Sequence, residues 1–217
     1  HPLGEKAGGV CLSDLSSDDR LDELHFDLSI RGGDRHRPEV HGSVDWEDLC
    51  ALLCMERPGD STVPSAYLKN LRSATFPVAR MAGFLTGSID LVYRVGRDRD
   101  QRWFLCDYKT NRLRNRETDA QGQRPVTLAH YRLPWLQHEM ARHHYFIQYH
   151  LYTVALHRFL RQRLPGYDYD RNMGGAVYLF VRGMEPGAPP ARGVFSDRPP
   201  RALIEGLDRL FAKAEAL

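Results

Sequence analysis

Residues 83–111 read GFLTGSIDLVYRVGRDRDQRWFLCDYKTN, and the fold is decided in this stretch. Two apolar runs, residues 88–93 and 102–108, flank the polar turn 96–101. Both runs are short, rich in β-branched or aromatic residues, and joined through a glycine, which predicts a β-hairpin. Each run holds an acid between apolar neighbours: Asp90 in the first and Asp107 in the second. Lys109 follows Asp107 at i+2, so both side chains leave the strand on one face. Charges gathered in this way need partners, and a divalent cation held by hard oxygen ligands is a natural one. The same residues also suit a plainer arrangement, with two acids paired to nearby arginines and a solvated lysine. The D-x-K spacing alone does not choose between them.

Outward from the hairpin, residues 21–30 (LDELHFDLSI) alternate apolar and polar positions, the clearest strand signal in the chain. Residues 45–55 suit a helix with Asp45 as N-cap and Trp46, Leu49, Leu52 and Leu53 on one face. A shorter helix fits 65–72. Residues 112–134 are polar and Arg-rich and predict an exposed connection. From 135 to 163 the pattern is helical without interruption, ending before Pro165-Gly166. The apolar run 175–181 predicts a strand buried on both faces, and 202–216 a last amphipathic helix with Leu203, Ile204, Leu207, Leu210 and Phe211 inward. Residues 1–20 are polar and glycine-rich and read as a loose segment ahead of one domain over 21–217. The order predicts an α/β fold, a mixed central sheet flanked by helices.

With 217 residues the chain suits one domain with a sizeable core. Its net charge of +2 conceals a bias: only four of the 30 basic residues are lysines, which favours a partner bearing phosphates. Cys11, Cys50, Cys54 and Cys106 match neither a zinc pattern nor the clustered cysteines of an iron–sulfur nuclease, and read as reduced thiols of a cytoplasmic protein. No apolar run approaches the ~18–20 residues of a membrane span. The start at His1, without an initiator Met, suggests a piece of a longer polypeptide.

A second constellation lies in Gln148-Tyr-His-Leu-Tyr152. Positions i and i+4 put the amide and the phenol on one helix face. The pair suits holding a phosphate or sugar, or stacking the phenol on a base, and equally suits a core tyrosine whose hydroxyl finds a partner. Arg94, Arg97, Arg99 and Arg102 surround the hairpin turn, and Arg112, Arg114 and Arg116 follow Lys109. Either group suits phosphate contacts that carry no sequence information, or solvated loops. Glu23 and His25 read as a solvated strand face, and His143 and His144 as surface residues.

The segments GFLTGSIDLVYR, LCDYKTN, HHYFIQYHLYTVALHRFLR, YDYDRNMGGAVYLFVRG and FSDRPP, in that order, closely resemble the RecB nuclease-domain family. These are the C-terminal nuclease domains of the beta subunits of exodeoxyribonuclease V, within the restriction-endonuclease-like PD-(D/E)XK group. The resemblance runs from about residue 21 to the end and is densest from Gly83 onward. It implies Mg²⁺-dependent hydrolysis of DNA, mainly single strands, in double-strand-break repair and recombination, with Ca²⁺ binding but not supporting cleavage. It also implies that Asp90, Asp107 and the backbone carbonyl of Tyr108 hold the metal. Lys109 matches the catalytic lysine, and Gln148 and Tyr152 the supporting Q-x-x-x-Y motif. RecC, RecD and the rest of a RecB chain are the implied partners. The family also uses a metal-binding histidine on an upstream helix, in a Gly-x-x-x-His context that no residue before Leu21 matches; the expectation is that this ligand lies ahead of His1. The competing expectation is a nuclease-like module that docks within such a complex without catalysis. Loss of an acid or the lysine would mark such a module, and here all three are present.

Overall fold

The computed structural model describes residues 1–30, 44–55, 62–73, 80–81, 83–113, 118–119, 122–123 and 126–212. Their strands are β1 (Arg20–Ile30), β2 (Val44–Asp45), β3 (Arg80–Met81), β4 (Gly83–Val95), β5 (Arg102–Lys109), β6 (Thr118–Asp119), β7 (Gly122–Gln123), β8 (Met173–Phe180) and β9 (Val194–Asp197). The helices are α1 (Trp46–Leu53), α2 (Ser65–Ser73), α3 (Leu133–Arg142), α4 (Tyr145–Arg163), α5 (Tyr169–Asn172) and α6 (Arg201–Ala212). The main sheet has the order β1-β4-β5-β8-β9; β2 with β3 and β6 with β7 form two small ribbons. Within the main sheet β5 and β8 run parallel and the other neighbours antiparallel. This is the mixed α/β sheet expected from the sequence.

The 83–111 stretch forms the expected hairpin, with Leu91 opposite Cys106 and Val95 opposite Arg102. Both faces of the sheet are buried. On one, Val92, Leu105, Ala176, Tyr178 and Phe195 meet Leu136, Phe146, Tyr149, Leu156, Ile204 and Leu207 from the helices. On the other, Leu91, Tyr93, Phe104, Cys106, Val177 and Leu179 meet Leu3 and Ala7. That second face explains a departure from expectation in residues 1–19. They are not loose: they fold into three short 3₁₀ turns whose apolar residues cover a sheet face that, among the described residues, no α-helix covers. The glycines that suggested looseness instead supply the positive φ these turns require, at Gly4, Gly8 and Gly9, and Tyr93 Oη donates to the Ala7 carbonyl at 2.8 Å.

Two further differences affect the site. The helical pattern from 135 to 163 is two helices, because His144 adopts φ 55° and ends the continuity between α3 and α4. The 112–134 connection also contributes to the core, with Leu113, His130 and Tyr131 buried. Among the glycines, Gly87 is needed for close approach: a Cβ there would stand 2.5 Å from the Phe26 ring. That ring packs edge-on to Tyr152, with centroids 5.6 Å apart. A leucine buried under the sheet loses transfer and cavity energy when truncated, so Leu3→Ala should cost about 2–5 kcal/mol in urea unfolding. A loss within about 0.5 kcal/mol, as at a mobile surface position, contradicts this packing.

Candidate active site

The site stands where the β4–β5 ladder stops. Hydrogen-bonded pairing ends at Leu91 and Cys106, and Asp90 and Asp107 are the next residues along the two strands. Here Asp90 Oδ2 accepts from the Tyr108 backbone N–H at 2.9 Å, so a carboxylate takes a place that a strand carbonyl otherwise fills. The opposite edge of β4 is interrupted at the same point. β1 pairs Asp22 with Leu91 and Leu24 with Ile89 and skips the pair between them, where Glu23 has φ 56°. Strict alternation would group Ile89 with Leu91 and Tyr93; instead Ile89 joins Val92 on the helix side. A left-handed glutamate is uncommon in a strand. Together these features form a kink that frees the Asp90 carboxylate from the ladder.

Asp107 is 4% exposed. Lys109 Nζ lies 2.6 Å from its Oδ2, yet out of line for a hydrogen bond, so that buried oxygen has a charge beside it and no aligned donor. Burial pushes the Asp107 carboxyl above its ordinary range, against the pull of Lys109 and with a smaller push from Asp90. Lys109 Nζ also donates to Gln148 Oε1 at 3.2 Å. Gln148 Nε2 donates in turn to Tyr152 Oη at 3.0 Å, and burial raises the Tyr152 phenol, with Asp107 adding to the effect. The two sequence constellations therefore form one site, joined through the amide of Gln148.

The sequence reading missed several members. Tyr178 Oη donates to Gln148 Oε1 at 2.9 Å; burial holds this phenol well above its ordinary range, so it remains a donor. Tyr145 donates through its hydroxyl to Asn111 Oδ1 at 3.3 Å. Asn111 Nδ2 donates to Glu139, a buried carboxylate also paired with His143 and Arg142. Tyr145 was accessible to helical spacing, being i−3 from Gln148. Tyr178 was not, because its place depends on β8 pairing with β5, where it stands opposite Asp107.

The arginines divide. Arg112 is exposed three residues beyond Lys109, while Arg114 and Arg116 lie outside the described residues. Arg94 and Arg97 at the hairpin turn are held by Asp19, at 2.7 and 3.0 Å, at the opposite end of β5 from Lys109. His25 is exposed as expected. His1 is bonded to the Arg192 carbonyl at 3.0 Å.

Among the described residues no three His, Cys, Asp or Glu side chains converge on a metal position. The Asp90–Asp107 pair is nonetheless a hard-oxygen donor set, and the Oδ2 atom without an aligned donor fits a cation. Mg²⁺, which retains several waters, needs only one or two carboxylates from a protein. All four cysteines are free, and Cys50 and Cys106 are buried. Among the described residues no helix is long and apolar enough to cross a membrane.

The described residues thus place two acids and a lysine at the ends of adjoining strands of a mixed sheet. Comparison with known proteins gives the relationship. The chain is 39% identical over 214 residues to the RecBCD enzyme subunit RecB of Mycobacterium tuberculosis, covering 96% of this chain and 18% of that one. With the RecB subunits of Haemophilus influenzae and Escherichia coli the identities are 36% and 34%, over 97% of this chain and 14% and 15% of theirs. The chain is thus homologous to RecB along nearly its whole length, while spanning less than a fifth of those relatives. No protein-family profile matches it.

Because burial raises the Asp107 carboxyl in the fold, its ionised form weakens folding. The deficit is absent below the unfolded carboxylate range, near about 4, and grows as pH rises through the folded value. In chelator at pH 7, Asp107→Asn should therefore unfold at the same or a higher urea concentration than the parent. A loss of about 3–5 kcal/mol, typical of breaking a stabilising buried ion pair, contradicts this.

Proposed function

We propose that the chain is the nuclease domain of a RecB-type subunit and hydrolyses phosphodiester bonds of DNA, mainly single strands, with Mg²⁺. The observation that carries this is the placement of Asp90 and Asp107 one residue past the ladder's end on adjoining strands, with Lys109 set between Asp107 and Gln148. Asp90, Asp107 and the Tyr108 carbonyl are the residues that would hold the ion. A Mg²⁺ held there would supply polarisation of a phosphoryl oxygen and a lowered pKa for a water.

The chain's own part is positioning and charge. The Lys109 ammonium faces the phosphate and offsets negative charge that develops on it during in-line attack. Gln148 holds that ammonium through Oε1 and is itself held through Nε2 by Tyr152, so the lysine is set before substrate arrives. Arg112, with Arg114 and Arg116 further along, supplies guanidinium contacts to backbone phosphates, which bind without reading sequence. DNA is the substrate in this reading. RecC, RecD and the rest of a RecB chain are the partners, in repair and recombination of broken DNA in the cytoplasm. A docking module without catalysis is the second reading. The buried Asp107 weighs against it, since a surface kept only for docking has no use for a carboxylate whose burial weakens the fold.

Cleavage of a labelled single strand is the test. Mg²⁺ should support cleavage and a chelator should stop it, with Ca²⁺ allowing binding alone. Asp90→Ala, Asp107→Ala and Lys109→Ala should each lower turnover about 10²-fold or more, the scale of losing one preorganised electrostatic group. Cleavage that survives chelation, or Asp107→Ala at parental rate, overturns the proposal. So does a full-length RecB-type subunit carrying this domain that shows no metal-dependent cleavage.

A further inference from the structure

We propose that Tyr145 and Tyr178 are positioning residues, a two-walled aromatic cage that holds the Lys109 ammonium against Asp107 and Gln148. The proposal deepens the reading of Lys109 as the group facing the phosphate. Lys109 Nζ lies 4.1 Å from the centroid of the Tyr145 ring and 5.1 Å from that of Tyr178. The rings are 5.8 Å apart and inclined by 36°, forming two sides of a box. Asp107 Oδ2 at 2.6 Å and Gln148 Oε1 at 3.2 Å form the other sides. A lysine has a long flexible stem and a compact charge, and loses rotamer freedom when fixed. Carboxylate and amide oxygens give that charge direction; ring faces confine it without competing for its protons.

The two tyrosines act differently. Tyr178 is fully buried on β8 opposite Asp107, and its hydroxyl donates to the oxygen of Gln148 that also receives Lys109. An ammonium has donors only, so Gln148 must present oxygen, not its NH₂ group, to Lys109. Tyr178 supplies a second donor to that oxygen and fixes the amide orientation, which leaves Nε2 for Tyr152. Tyr145 is the first residue of α4, directly after the left-handed His144. Its hydroxyl is tethered to Asn111, two residues beyond Lys109, and its ring stacks on His143 at 5.2 Å. The helix break thus starts α4 where a ring can lie over the lysine.

The measurement is the NMR shift of the Lys109 ε-methylene in the 217-residue chain labelled with ε-¹³C lysine, without DNA or metal. Only four lysines are present, and Lys109→Arg assigns the signal. The Lys109 signal should lie upfield of those of Lys6 and Lys69, both exposed, because aromatic rings shield what lies over them. Tyr145→Phe should keep the shift and Tyr145→Leu should lose most of it. An unshielded signal in the parent, or shielding unchanged in a folded Tyr145→Leu, overturns the cage; the parental signal alone decides if that variant does not fold. On single-stranded DNA, Tyr145→Leu should lower kcat about tenfold with KM unchanged, and Tyr145→Phe should restore it. A rise in KM alone overturns the positioning role. Tyr178→Phe keeps the ring but frees the amide, and should lower kcat while keeping the shielding. If the shielding is found but neither the chain nor a full-length RecB-type subunit carrying it cuts DNA, the nuclease reading fails while the cage stands.

Discussion

The structure depends on one costly placement, a carboxylate buried at the end of a central strand. Asp107 lies between β4 and β8, beside a second carboxylate, with its own pKa pushed upward. Everything around it answers that charge. Lys109 reaches back from the same face, Gln148 and two tyrosines hold the lysine, and Asp90 turns partly away to the Tyr108 amide. Such a cluster is poor use of a core if stability were the only demand. In the proposed function it is a site prepared for a cation and a phosphate.

The kink in the β1–β4 pair is the second half of the arrangement. A regular ladder would keep Asp90 within the sheet's alternation and hold its strand flat through the site. The left-handed Glu23 and the missing pair opposite Asp90 break the alternation at one residue. Beyond the break, Leu24, Phe26 and Ile89 pack toward the helices, and Phe26 reaches Tyr152 over Gly87. The same irregularity therefore exposes one acid and braces the end of the Q-x-x-x-Y motif. Strain at such a point is what functional sites commonly carry.

Much of this was legible from residues alone. The hairpin, its two acids, the lysine at i+2 and the i, i+4 pair on the long helix all follow from periodicity, and motif order carried the resemblance to RecB. What was not legible depends on contacts remote in sequence. Tyr178 sat in an apolar run that reads only as core, and its role depends on β8 running parallel to β5. The break at His143–His144 left no proline or glycine to mark it, since a histidine supplies the left-handed residue. Residues 1–19 looked loose because glycines and polar residues outnumber the few apolar ones, yet Leu3 and Ala7, with Val10, Leu12 and Leu15 packed beside them, cover the sheet's second face.

In the proposed function Asp90 and Asp107 together form the seat of a divalent cation. The most direct measurement is paramagnetic broadening of amide signals on titration with Mn²⁺. Selective loss of the signals around Asp90, Asp107 and Tyr108 is expected at low Mn²⁺, competed away by Mg²⁺ and abolished in Asp107→Asn. Broadening centred elsewhere, or unchanged in that variant, would contradict it.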